Sequence, residues 1–352
     1  MITQARCYEK LDNNKVHCYL CAHHCRIAPQ KTGICGVRFN SKGDLLTSTY
    51  SRVAAQNIDP VEKKPLYHIL PGSKAYSIGT FGCNFNCDFC QNWQLSQPQK
   101  NKPLTAEDSL ISSSPERVVK DAVEKGCTCI AYTYTEPTLF FEYVVDLSQE
   151  AHKVGLFNLF ITNGYITPQA LESLRPSLDA CNVDLKSFSD EFYRKRCGAR
   201  LAPVLETIEW LKDHYVWLEL TTMIIPGEND SEKEMLDIAE FIADLDQEIP
   251  WHISRFHPVY RMADHVPTPT ATLIRAREIG HQAGLKHVYI GNAPEIEDNG
   301  TTRCPECRNS VILRNPALFR FENYLRDGQC PECWRALRGI WNVNQIIARR
   351  PS

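Results

Sequence analysis

Tyr76-Ser-Ile-Gly79 runs without a break into Thr80-Phe-Gly-Cys83-Asn-Phe-Asn-Cys87-Asp-Phe-Cys90-Gln-Asn-Trp93. The first four residues read as a short strand, and that strand delivers three cysteines spaced C-x3-C-x2-C. A 4Fe–4S cube has four iron corners and is usually bound by four thiolates. Three close cysteines with no obvious fourth leave one iron open to a small ligand. A zinc knuckle is the competing reading of the same thiols.

Outward from this loop, strand-like and helix-like runs alternate over residues 74–292. Ser114-Pro115-Glu116 supplies an N-cap and a proline at the first helical position. It predicts a helix from Arg117 to Lys125, stopped by Gly126. Strands are expected at Cys129–Tyr134, Phe157–Thr162, Ala180–Leu185, Trp217–Ile224 and Trp251–Phe256, with one more at His287–Ile290. Helices are expected over Leu139–Val154, Pro168–Leu174, Asp190–Arg196, Pro203–Asp213, Ser231–Leu245 and Leu273–Ala283. Such alternation means parallel strands with right-handed helical crossovers, hence an open doubly wound sheet or a barrel. In both, ligands collect at the C-terminal ends of the strands.

The 352 residues carry a net charge of −3, with 43% hydrophobic and 23% charged residues. No basic surplus points to nucleic acid as partner. No apolar run reaches the roughly 18–20 residues of a membrane span. The N-terminus has no secretory apolar run, so a cytoplasmic location is expected.

Sixteen cysteines in such a chain read as metal ligands or reactive thiols rather than disulfides. Cys7, Cys127, Cys129, Cys181 and Cys197 are scattered and read as inert buried thiols. The others form three groups, which divide the chain into an N-terminal Cys-rich segment and connector (1–73), an alternating region (74–292) and a C-terminal segment (293–352). The connector, Asp59 to Ser73, holds three prolines that forbid a continuous helix and favour extended chain. Cys304-Pro-Glu-Cys307 and Cys330-Pro-Glu-Cys333 are like pairs that read as a four-thiolate zinc ribbon, a second iron–sulfur centre being the alternative. Cys18, Cys21, Cys25 and Cys35, with His23 and His24 nearby, read as zinc or iron–sulfur ligands. Zinc is favoured there because the ferredoxin-like double cysteine run is missing.

The central loop, with the aromatic Phe89 before its last cysteine, resembles the cluster loop of the radical S-adenosylmethionine (SAM) superfamily. The resemblance implies a partial (β/α)6 TIM-type barrel, here with Cys-rich metal-binding appendages at both ends. It also implies a 4Fe–4S cluster on Cys83, Cys87 and Cys90, whose open iron is chelated by the amino and carboxylate groups of SAM. Tyr134-Thr-Glu136-Pro looks like the family's segment that accepts from the SAM amino group. By similarity to glycyl-radical-enzyme activases, Thr162, Asp184, Lys186 and His257 are carried over as SAM contacts. The acidic residue that activases often place before Thr162 is Ile161 here, so their monovalent-cation site is not implied.

The whole chain resembles the radical SAM member of the AmmeMemoRadiSam group, itself similar to pyruvate formate-lyase activating enzymes. The residues that carry this are Gly33-Ile-Cys-Gly-Val-Arg38, the Asp59–His68 connector, Gly82–Trp93 and Leu337-Arg-Gly-Ile-Trp341. The resemblance implies a one-electron donor such as flavodoxin or ferredoxin, and AMMECR1-type and Memo-type proteins as partners. The expected function is reductive cleavage of SAM and hydrogen abstraction from a substrate the residues do not name. The alternatives are an activase that installs a glycyl radical on a partner protein, and a non-catalytic zinc-binding scaffold.

Overall fold

The computed structural model describes residues 2–97, 111–315 and 320–343. Its centre is an eight-stranded sheet: β1 (Ala55–Pro60), β2 (Lys74–Gly79), β3 (Cys129–Tyr132), β4 (Phe157–Thr162), β5 (Ala180–Asp184), β6 (Trp217–Ile224), β7 (Trp251–Arg255) and β8 (Val288–Gly291). The strands lie side by side in chain order. From β2 to β8 every pairing is parallel, whereas β1 is an antiparallel edge strand on β2 with Asp59 opposite Ala75. A doubly wound sheet reverses its strand order at a switch point. This one never reverses, so it is a partial barrel, open between β1 and β8.

Six helices make the crossovers: α1 (Pro115–Glu124), α2 (Phe141–Lys153), α3 (Pro168–Leu174), α4 (Ala202–Asp213), α5 (Glu232–Leu245) and α6 (Thr270–Gln282). Six β/α units are therefore present, and β8 adds a seventh parallel strand. Helix starts follow local chemistry: Ser114 Oγ accepts from Arg117 N at 3.4 Å, and Ser231 Oγ from Glu234 N at 3.2 Å.

The period-2 alternation of the strands separates two cores. Tyr76, Ile78, Ile130, Tyr132, Phe160 and Val183 belong to the large core shared with the helices. Ala75, Cys129, Ala131, Leu159 and Ala180 face inward and pack with Val61, Leu66, Ile69 and Leu70. The proline-bearing connector thus fills the lumen. Buried Glu219 on β6 fixes it by accepting from Tyr67 N at 2.9 Å and His68 N at 2.8 Å, and also from His252 Nε2 at 2.6 Å. Small inward residues on β2 and β3 leave the room.

Residues 3–47 form two small three-stranded antiparallel sheets, and residues 302–323 a third. Ile340 joins the C-terminal part to the connector through Ile340 N to His68 O and Leu70 N to Ile340 O, both 2.7 Å. Residues 344–352 of the expected C-terminal segment lie outside the described residues. Among the described residues no helix is long and apolar enough to cross a membrane.

Candidate active site

The three central cysteines leave β2 through Gly79 and Gly82, each forced by close packing. A Cβ on Gly79 would lie 2.5 Å from Thr133 O. One on Gly82, where φ is +96°, would lie 2.7 Å from Val37 Cγ1. The loop then crosses the C-terminal ends of the neighbouring strands. Thr135 Oγ1 donates to Thr80 O (2.9 Å) and Asn92 Nδ2 to Tyr134 O (2.8 Å), tying it to β3. Asn163 Nδ2 donates to Asn84 Oδ1 (2.8 Å), tying it to β4. Asn86 N and Asp88 N donate to Cys197 O and Arg196 O, tying it to the turn after β5. From the β7 side, Arg261 pairs with Asp88 at 3.2 Å, and Tyr260 stacks on Trp93 with centroids 5.1 Å apart.

Donors point at the sulfurs. Phe85 N lies 3.4 Å and Asn163 Nδ2 3.8 Å from Cys83 Sγ, and Ser96 Oγ is 3.1 Å from Cys90 Sγ. Cys87 lies near the buried thiol of Cys197, and that neighbour and burial raise Cys87 well above the ordinary thiol range. A metal here must displace protons. Tetrahedral zinc, with bonds of about 2.3 Å, draws its sulfurs to within about 4 Å of one another. Among the described residues only Cys304, Cys307, Cys330 and Cys333 bring three or more such ligand atoms within 4.8 Å of one another. Cys83, Cys87 and Cys90 do not all come within 4.8 Å of one another, a spacing suited to the corners of a cube. The donor set fits a 4Fe–4S cluster.

Glu136 is 2% exposed and gathers four donors. Its Oε1 accepts from Thr138 N (3.1 Å), Thr138 Oγ1 (2.6 Å) and Thr162 Oγ1 (2.8 Å); Oε2 accepts from Asn163 N (2.8 Å). Burial nevertheless raises its pKa. Oε2, with a single donor, keeps a free lone pair. Asp184 and Lys186 meet at 3.0 Å, with side-chain exposures of 39% and 17%, and the Lys186 ammonium stands 5.8 Å from the centre of the Phe89 ring. Burial opposes the Lys186 charge, but Asp184 beside it outweighs that and raises the pKa well above normal. Phe89 is buried against Phe192. His257 is exposed just beyond β7, and no hydrogen bond joins it to the other candidates.

The structure therefore brings Cys83, Cys87, Cys90, Phe89, Glu136, Thr162, Asp184 and Lys186 to one end of the barrel and leaves His257 at its rim. Arg196, Asn163, Tyr260 and Arg261 join them there without having been singled out in the sequence, and so does Cys197, which reads there as a scattered inert thiol. Cys197 carried only the signal of being a cysteine. A cleft of about 930 Å³ opens elsewhere, between the N-terminal ends of β5–β7 and the C-terminal segment, lined among others by Asp179, Trp217 and Trp341. Active sites of barrels lie at the opposite end.

Cys304 and Cys333 have their sulfurs 3.5 Å apart, and Cys307 and Cys330 3.6 Å. That spacing matches the edges of a four-thiolate tetrahedron.

An uncharacterized protein of Methanocaldococcus jannaschii is 44% identical over 313 residues, covering 88% of this chain and 91% of that one. A pyruvate formate-lyase-activating enzyme of Staphylococcus aureus is 22% identical over 196 residues, 53% of this chain and 76% of that one. The crystal structure of a domain of such an enzyme from Bacteroides vulgatus superimposes with a TM-score of 0.42 and 18% identity, over 46% of this chain and 98% of that one. Residues 77–239, from β2 and its cysteine loop into α5, match the radical SAM superfamily, whose members work with a 4Fe–4S cluster and SAM. The chain belongs to the radical SAM superfamily and is an enzyme of that kind.

Proposed function

We propose that the chain cleaves SAM reductively and uses the resulting radical to abstract hydrogen from a substrate. The observation that carries this is the placement of three thiols, with donors aimed at their sulfurs, at one barrel mouth with Glu136, which shares Asn163 with Cys83, and with Lys186, which faces Phe89 of the same loop. In that chemistry one electron enters the SAM sulfonium, its 5′ carbon–sulfur bond breaks to methionine and a 5′-deoxyadenosyl radical, and the radical takes a hydrogen atom from the substrate.

Cys83, Cys87 and Cys90 would hold the cluster. Glu136 Oε2 would accept from the SAM amino group, a charge-assisted bond. Thr162 holds Glu136 in place for this. Lys186 would offer its ammonium to the SAM carboxylate, with Asp184 orienting it, and Phe89 would wall the cluster from water. His257, at the rim, would reach the ribose only if its loop turned inward. The reducing electron would come from a flavodoxin or ferredoxin. AMMECR1-type and Memo-type proteins are the partners that the resemblance suggests. Cys304, Cys307, Cys330 and Cys333 would hold a structural zinc ion.

The test is turnover of the anaerobically reconstituted, dithionite-reduced chain with SAM. Release of 5′-deoxyadenosine and methionine is expected, abolished in Cys87→Ala. A fully loaded cluster that binds SAM and never cleaves it refutes the proposal.

A further inference from the structure

The group Cys18, Cys21, Cys25 and Cys35 has no part in the chemistry above, yet its placement is that of a built site. Cys18 ends the strand Val16–Cys18, and its N–H donates to Cys25 O at 2.9 Å. Cys21 pairs with Ile166 just beyond β4. Cys35 sits in a tight turn closed by Gly36 N to Gly33 O at 3.0 Å. Sequence positions 18 to 35 are thus folded around one point, and all four cysteines line one small cavity. Cys18, Cys21 and Cys35 are buried, and Cys25 is half-buried. A Cβ on Gly33 would lie 3.7 Å from both Cys25 Sγ and Cys35 Sγ, so the missing side chain keeps the space between those sulfurs clear.

A cation also faces the site. Arg38 lines the cavity, is 1% exposed, and donates from Nη1 to Cys18 Sγ at 3.7 Å. It is anchored by Glu142 and by Arg6 O, while its buried Nε has no hydrogen-bond partner. An orphaned buried donor is costly unless an acceptor arrives.

Size decides which group fits. A cube holds its four thiolate sulfurs about 6 Å apart; tetrahedral zinc holds them about 4 Å apart. Among the described residues the C-terminal cysteines alone meet the zinc spacing. The N-terminal four line one cavity, but no three of their sulfurs come within 4.8 Å of one another. We infer that Cys18, Cys21, Cys25 and Cys35 bind a second 4Fe–4S cluster, fully ligated by protein. It would stand against the loop of the first: Cys35 O lies 3.2 Å from the Cβ position of Gly82, and His23 Nε2 is 2.8 Å from Asn84 O, on either side of Cys83.

The test removes the central cluster first, so that its outcome is independent of the catalytic reading. The full chain carrying Cys83→Ala, Cys87→Ala and Cys90→Ala is purified and reconstituted without oxygen. It should stay brown, keep about four irons and four sulfides per chain, and give a 4Fe–4S Mössbauer doublet. A colourless triple variant with about two zinc ions per chain overturns the inference. The unmodified chain, which does not depend on the variant folding, should hold about eight irons and about one zinc. About four irons and two zincs overturns it equally. Gly33→Val, which fills the space between Cys25 and Cys35, should lose about half of the iron while Cys83–Cys90 keep theirs.

Discussion

Thr162 donates its hydroxyl to Glu136 across 2.8 Å, from the end of one parallel strand to the loop after its neighbour. With Asn163 N and both donors of Thr138, this makes Glu136 the point at which two strand ends are locked together, and Asn163 carries the tie on to the cysteine loop through Asn84. A buried carboxylate with four donors is fixed in direction, and its one remaining lone pair has a defined aim.

Glu136→Gln keeps the shape but turns an amide N–H₂ toward groups that already donate. SAM binding should weaken on the order of 10-fold, and the melting temperature should fall by several degrees. Isothermal titration with SAM and a thermal melt read the two effects separately. Unchanged affinity in a folded variant removes Glu136 from the SAM site.

Lys186→Met leaves the aliphatic contact with Phe89 and deletes the charge. If Lys186 meets the SAM carboxylate, affinity should fall roughly 10-fold, as for a hydrogen bond to a charged group, with iron content unchanged. Equal loss of iron and of binding would instead make Lys186 a support of the cluster loop.

Cys197→Ala removes the thiol that lies near Cys87. Cys197 lies in the turn that holds the cysteine loop through its backbone carbonyl, so it supports the loop rather than serving the open corner. The variant should therefore keep most of its iron while SAM cleavage slows by about 10- to 100-fold, as outer partners of metal ligands typically behave. Loss of iron would identify Cys197 as a ligand.

Asp59 is held down to about 2: burial would raise it, but hydrogen bonds from Lys64 and Tyr134 more than offset that. Burial lowers Lys64 despite Asp59 beside it, so the pair contributes less than the Asp59 shift alone implies. Because the folded value lies below the unfolded 3.8, this contribution is complete above pH 3.8 and is lost as pH falls toward 2. It amounts to at most about 2 kcal/mol. Urea midpoints of the wild type and Asp59→Asn, measured down through that window, should converge at the acid end; a constant gap contradicts the assignment.

Cys330→Ser opens the C-terminal tetrahedron. Because Ile340 pairs with the connector that fills the lumen, loss of this site should loosen the barrel as well. Zinc content should drop by about one per chain and the melting temperature by several degrees, with the iron on Cys83–Cys90 retained.

The barrel was legible because its strands are apolar runs of four to eight residues with helix caps between them. Phe157–Thr162, Pro168–Leu174 and Trp217–Ile224 have the boundaries that the sequence predicts. The cysteine loop was legible because its spacing is local. The small sheets of residues 3–47 were not, since strands of two to four residues carry no readable period. The prolines of the connector announce extended chain but not that it enters the lumen, which depends on Ala75 and Ala131 across the sheet. The short π-helix Tyr193–Cys197 brings Cys197 to the cysteine loop, where its carbonyl accepts from Asn86 N, a tertiary fact with no sequence mark. His257 follows a strand as the resemblance required, but its side chain stands in solvent.

The central claim is that one iron beside Cys83, Cys87 and Cys90 is left for SAM. Electron–nuclear double resonance on the reduced cluster, with SAM carrying a heavy-nitrogen label in its amino group, tests that most directly. Hyperfine coupling between the cluster and the label is predicted. A fully assembled, reduced cluster that binds SAM with no such coupling would contradict it.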